Sequence, residues 1–179
     1  LLVAFFGTLN PGAGDVSVGE ELSRVVPVIR AISGKISVPI SIDTRKSEVA
    51  EAAIKAGAAI INDTSGLKHD PRMAGVAAKY GTAVILMHMK GSPADMQRSP
   101  RYKRLIPEIR AALRESIHIA KAAGVVSDKI IIDPGIGFGK TVKHNLEILN
   151  RLDEFKKMGF PVCVGVSRKS FIGKVLNIK

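Results

Sequence analysis

Short apolar runs alternate with helix-patterned segments along the whole chain, and nearly every run ends in a polar residue. Leu1 to Phe6 reads as a buried strand, and Gly7 to Gly19 as a loop broken by Pro11, Gly12 and Gly14. Glu20 to Ile32 sets Leu22, Val25, Val26, Ile29 and Ile32 at helical spacing, with Pro27 inside it as a kink or a displaced start. A second strand, Val38 to Ile42, ends in Asp43 and Thr44, and a helix from Lys46 to Ala56 is closed by Gly57. A third strand, Ala58 to Ile61, ends in Asn62 and Asp63, and the short helix Pro71 to Tyr80 is closed by Gly81. Ala83 to Met87 is a fourth strand ending in His88, followed by a loop from Met89 to Tyr102. Helix Leu105 to Ala123 carries a stripe of Leu105, Ile109, Leu113, Ile117 and Ala120. Ile130 to Ile132 then ends in Asp133, a helix runs from Lys143 to Met158, and Pro161 to Val166 ends in Ser167, Arg168 and Lys169. Phe171 to Asn177 begins another helix.

Six strand–helix units of unequal length, without internal self-similarity, exclude a solenoid and predict a parallel sheet with crossover helices. A closed (β/α)8 barrel typically takes about 250 residues. The 179 residues therefore predict an α/β fold of the TIM (β/α)8 type, incomplete, with about six βα units and the first and last missing. A doubly wound open sheet is the second choice. Residues 1–179 are expected to form one domain, a fragment of a barrel, with an atypical start at 1–10. The missing initiator Met leads to the expectation that the chain begins inside a longer protein.

Composition narrows the function classes. The single Cys163 excludes a disulfide framework and fits a reducing cytoplasm. No apolar stretch reaches the roughly 18 residues of a membrane span, and Leu1 to Phe6 is too short for a signal-peptide core. The net charge of +11 is uneven, with −1 in residues 1–70 and +12 in 71–179. A basic half suits either nucleic acid or an anionic small substrate. With 4% aromatics and no Trp, stacking platforms for nucleic acid are scarce, so no nucleic-acid partner is expected.

The stretch Ile130 to Thr141 puts an acid at a strand end and a glycine-rich turn after it. Ligands of parallel α/β folds bind at that end of the strands. The turn is not a P-loop, because the register puts Pro134 where the first Gly is needed, and Lys140 occupies a Gly position of a dinucleotide fingerprint. Asp43, Asn62, His88, Asp133 and Lys169 each follow an apolar strand, and in a barrel such positions converge on one mouth. Carboxylates, an amide and an ammonium suit a flat heterocycle with alternating donors and acceptors, such as a pterin or a purine. The four His residues lack metal-ligand spacing, and Ser167 lacks a nucleophile elbow.

Five blocks resemble the signature of the dihydropteroate synthase family, in its order and spacing: Ser41 to Thr44, Ile61 to Asp63, Leu86 to Gly91, Asp133 to Thr141 and Ser167 to Gly173. The resemblance covers about residues 11 to 177 and implies a TIM barrel. It implies a transferase of folate synthesis that condenses 4-aminobenzoate with hydroxymethyl-dihydropterin diphosphate, giving dihydropteroate and diphosphate, and that sulfonamides would inhibit. By the matching blocks, Asp43 and Lys169 would carry catalysis, and Asp43, Asn62, Met87, Asp133, Phe138 and Lys169 would hold the pterin. Arg168 and Ser170 would border the aminobenzoate site. The family further implies Mg2+ as cofactor and a homodimer.

The family's first strand with its Asn-rich loop, and its last strand with an Arg and a His for the diphosphate, have no counterpart in this sequence. Phe6 to Asn10 stands where the family has Gly-Glu-Ser-Thr-Arg, which suggests a shifted reading frame or a chimeric start. The expectation is therefore that this chain alone is inactive and self-associates through bare apolar edges. The alternatives are a methyltetrahydrofolate-binding methyltransferase domain and a non-catalytic remnant that only binds pterin.

Overall fold

A computed structural model describes residues 2–4, 16–91 and 100–178. Through them run β1 (Leu2–Ala4), α1 (Val18–Ser33), β2 (Ile40–Asp43), α2 (Ser47–Ala56), β3 (Ile60–Asp63), α3 (Met73–Tyr80) and β4 (Ala83–Met87). These are followed by α4 (Leu105–Ala122), β5 (Ile130–Asp133), α5 (Val142–Asn150), α6 (Asp153–Lys156) and α7 (Ser170–Leu176). The predicted strand Leu1 to Phe6 is described at Leu2–Ala4 alone, and the rest of the atypical start lies outside the described residues. So do residues 11–15 of the first predicted loop and 92–99 of the loop after β4.

The helix boundaries follow local chemistry. Ser17 starts α1 by accepting from the Glu20 N–H at 3.2 Å, and Glu20 and Glu21 sit where the helix dipole favours acids. Pro27 lies inside α1 without ending it. Thr141 starts α5 through a reciprocal capping box with His144. The single helix expected from Lys143 to Met158 is two, because the α5 ladder stops at Arg151, which leaves helical geometry at φ −125° and ψ 32°. The chain then turns into α6, whose Phe155 is fully buried.

All strand pairs are parallel, and the sheet order is β1-β2-β3-β4-β5. A doubly wound sheet reverses its order at a switch point. This sheet does not reverse, and α1 packs on α2, α2 on α3 and α3 on α4. The open-sheet alternative is set aside, and the architecture is the strand-and-helix wall of a TIM-type barrel.

Side chains on a strand alternate faces, so the register sorts them. Ile40, Ile42, Ile61, Val84, Leu86, Ile130 and Ile132 join the helix residues in one apolar core. The opposite face carries Ser41 and Asp43 on β2, Ile60 and Asn62 on β3, Ile85 and Met87 on β4, and Ile131 and Asp133 on β5. That polar-ended face is the inner one.

The sixth strand expected at Pro161 to Val166 is reduced to one bridge, Ile132 with Val162. Ile132 donates to Pro161 O at 2.9 Å, and Cys163 donates to Ile132 O at 2.8 Å. Among the described residues this segment has a ladder partner on one side alone, and the pairing does not propagate past Cys163.

Truncating Phe155 to Ala in the core is expected to cost about 3–5 kcal/mol. Leu146→Ala, at an exposed position of α5, should stay within about 0.5 kcal/mol of the parent. Urea unfolding of both variants checks the contrast.

Candidate active site

Register builds the site from its floor upward. Asp43 pairs with Asn62, Asn62 with Ile85, and Ile85 with Ile131, which makes one layer across the inner face. Met87 and Asp133 pair in the layer above, at the carboxyl ends of β4 and β5. In the lower layer Asn62 Nδ2 donates to Asp43 Oδ2 at 3.1 Å. Asp43 Oδ1 and Ser41 Oγ are buried and have no hydrogen-bond partner among the described residues. A buried carboxylate oxygen left open marks a place where a donor is wanted. Desolvation pushes the Asp43 pKa up to about 7, with the neighbouring Asp63 and Glu21 charges adding and the Asn62 hydrogen bond opposing.

Asp133 is held at the start of the glycine loop. Its Oδ1 accepts from the Gly135 N–H at 2.7 Å. Burial raises its pKa to about 6 against that bond and the charges of Lys140 and Lys169. Gly135 has φ +74°, and a Cβ there would lie 1.9 Å from His88 O, so the turn admits no side chain. The loop therefore lies flat on the segment that leaves β4.

Lys169 closes the opposite side. Its Nζ sits 4.0 Å from the centre of the Phe138 ring, a cation–π contact. Its stem crosses Gly137, where a Cβ would come within 2.9 Å of Lys169 Cδ. Burial lowers the Lys169 pKa, and both Asp133 and Asp43 oppose that shift. One ammonium is thus within electrostatic reach of both carboxylates. Arg168 and Ser170 flank it on exposed backbone, with Arg168 at φ +55° and Ser170 opening α7.

His88 is on the other parity from Met87, and its ring does not join this layer. It meets Lys140 Nζ at 3.0 Å and packs against Tyr102, with ring centres 6.1 Å apart. Among the described residues no group of three or more His, Cys, Asp or Glu is arranged to hold a metal ion. The described residues thus supply no protein-only cage for the expected Mg2+, and no step below is routed through it.

A family described as pterin binding enzyme matches residues 7–179. The chain belongs to the pterin-binding enzyme family. The dihydropteroate synthase of Synechocystis sp. is 47% identical over 168 residues, which cover 94% of this chain and 58% of that protein. A crystal structure of the Yersinia pestis dihydropteroate synthase with a sulfonamide drug superposes with a TM-score of 0.91 at 42% identity, covering 97% of this chain and 62% of that one. The Thermus thermophilus enzyme in complex with 4-aminobenzoate gives a TM-score of 0.88 at 43% identity, covering 97% and 65%. The chain spans less than two thirds of the length of these relatives.

Within this pterin-binding fold, two buried charged groups escaped the sequence reading. Glu21 accepts from Thr44 Oγ1 at 2.6 Å and from Lys46 Nζ at 2.7 Å, tying α1 to the residue that follows Asp43. Its signal was legible: Glu21, Val25 and Ile29 lie four apart on one stripe, so the acid faces the core. Lys140 is the other, and no periodicity marks a Lys that follows a glycine loop. Asp63, beside Asn62, is buried on the helix-covered side and caps its own turn, accepting from Ser65 and Leu67.

The raised Asp43 pKa makes a signed prediction. The unfolded chain releases this proton near the ordinary 3.8 and the folded protein near 7, so the folded state binds the proton more tightly. Stability should then fall as pH rises between those values, with the full penalty above about pH 7. Asp43→Asn should be more stable than the parent above pH 7, by roughly 1–4 kcal/mol, and the gap should vanish below about pH 4. Urea titrations across that range measure it.

Proposed function

We propose that the protein carrying this chain is a dihydropteroate synthase. The amine of 4-aminobenzoate attacks the methylene carbon of hydroxymethyl-dihydropterin diphosphate. The C–N bond forms as the C–O bond breaks, diphosphate leaves with the electron pair, and the amine nitrogen gives up a proton. The observation that carries this reading is the inner-face cluster: Asp43 paired with Asn62, Met87 paired with Asp133, and Lys169 stacked on Phe138 within electrostatic reach of both carboxylates.

Each residue has a role that its position supports. Asp133 accepts from the amino-pyrimidinone edge of the pterin, and the bound N–H groups then favour its ionised form. Asn62 bonds the adjacent ring nitrogens. Asp43, with an open oxygen, faces the ring N–H and favours positive charge developing on the pterin as diphosphate departs. Lys169 donates to the ring carbonyl and nitrogen. Met87 and Phe138 line the ring, and Arg168 and Ser170 border the aminobenzoate. The names of the relatives, and the 4-aminobenzoate and sulfonamide in their structures, support the same substrates and the same inhibitor class.

The single Cys163 supports a reducing, cytoplasmic setting. Homodimerisation and Mg2+ belong to the proposal through the family resemblance, and no step here uses them. The methyltransferase alternative is not favoured, since the relatives are synthases.

Aminobenzoate-dependent formation of dihydropteroate tests the proposal. Corrinoid-dependent methyl transfer would replace it with the methyltransferase reading, and pterin binding without turnover with a binding module. Asp133→Asn is expected to weaken pterin binding by about 1.5–3 kcal/mol, because the amide is uncharged and offers one acceptor oxygen and an N–H donor where the carboxylate offers two acceptors. Lys169→Ala should lose both binding and turnover while its melting temperature stays close to the parent's. Unchanged pterin affinity by calorimetry in either folded variant removes that residue from the site.

A further inference from the structure

Lys140 ends a glycine-rich loop yet is 4% exposed. An ammonium has three N–H donors, and the Lys140 Nζ has three acceptors around it. These are His88 Nδ1 at 3.0 Å, His88 O at 3.3 Å and Phe138 O at 2.9 Å. The His88 ring is neutral, since burial and then the Lys140 charge push its pKa down to about 3. With its proton on Nε2, its Nδ1 accepts. Donors and acceptors therefore match one to one.

The three acceptors belong to two segments, the exit of β4 and the loop after β5. The ammonium joins them at the point of closest approach, where a Cβ on Gly135 would meet His88 O at 1.9 Å and Lys140 Nζ at 3.2 Å. One acceptor is the carbonyl of Phe138 itself, the residue whose ring carries Lys169. The Tyr102 hydroxyl donates to Gly139 O at 2.9 Å and pins the far end of the same loop. Burying a charge among neutral acceptors is costly for a plain fastener, and burial lowers the Lys140 pKa to about 7 while the Asp133 charge opposes that shift. Here the charge also acts on a carboxylate, favouring the ionised form of Asp133.

We propose that Lys140 is a positioning residue of the pterin site: its ammonium fixes Phe138 and the glycine loop against His88 and holds a positive charge beside Asp133. This rests on the pterin-binding reading above. The residue touches no substrate. It sets where the Phe138 ring stands and keeps the Asp133 carboxylate in its accepting form.

The test is calorimetric affinity for hydroxymethylpterin, beside the KM for 4-aminobenzoate, in the protein and its Lys140→Met variant. Loss of one charge-assisted contact set should raise the pterin Kd about tenfold or more, with the aminobenzoate KM within about twofold of the parent's. His88→Leu removes one acceptor and should weaken pterin binding less, and His88→Gln, which returns an acceptor oxygen, should recover most of it. A Lys140→Met protein that melts lower yet binds pterin with the parent's Kd overturns the proposal and leaves Lys140 a structural fastener. If that variant does not fold, the His88 pair decides, and equal pterin affinities in Leu and Gln variants overturn it. Failure of the parent protein to bind pterin would instead remove the functional reading itself.

Discussion

Parallel pairing in strict sequence order forces every second side chain of β2, β3, β4 and β5 onto one face of the sheet. A slip of one residue in any pair would send Asp43, Asn62, Met87 or Asp133 into the helix-covered core and bring an isoleucine or a leucine to the inner face. The apolar core residues Ile42, Ile61, Leu86 and Ile132 prevent that slip, since each must stay buried against the helices. The hydrophobic effect on one face thus fixes the polar geometry on the other. Helix packing and binding chemistry are two readings of the same register.

That placement has an electrostatic cost. Asp43 and Asp133 are buried acids whose anions are disfavoured, and Lys140 is a buried base whose pKa burial lowers to about 7. Each group would be better solvated outside. What offsets the cost is mutual: an amide on Asp43, a backbone N–H on Asp133, and three acceptors on Lys140. The open oxygen of Asp43 is the part left uncompensated. Sites that give up stability in this way are ones where a ligand supplies the missing partner.

The strand ends were legible because three signals coincide there: a β-branched run, a polar residue, and a glycine or helix start. The run Ile130 to Asp133 and the run Ile40 to Asp43 show all three. The expected order of strands and helices holds through β5, with shifts of a residue or two where Asn62 and Asp63 extend β3 and where Met73 starts α3 late. The break at Arg151 was not legible, since Leu146, Leu149, Leu152 and Phe155 keep helical spacing across it. Nor was the outward turn of His88, which depends on strand parity rather than on residue type. Lys140 was invisible because two of its three partners are carbonyls, and backbone leaves no trace in a residue pattern.

A crystal structure of the protein soaked with hydroxymethylpterin would show whether the inner-face layers are built around a pterin. The ring is expected between Met87 and the Phe138–Lys169 pair, with its amino-pyrimidinone edge on Asp133 and with Asn62 and Asp43 along the adjoining nitrogens. A pterin seated elsewhere, or one that leaves both Asp133 and Asp43 without a hydrogen bond to the ring, would contradict it.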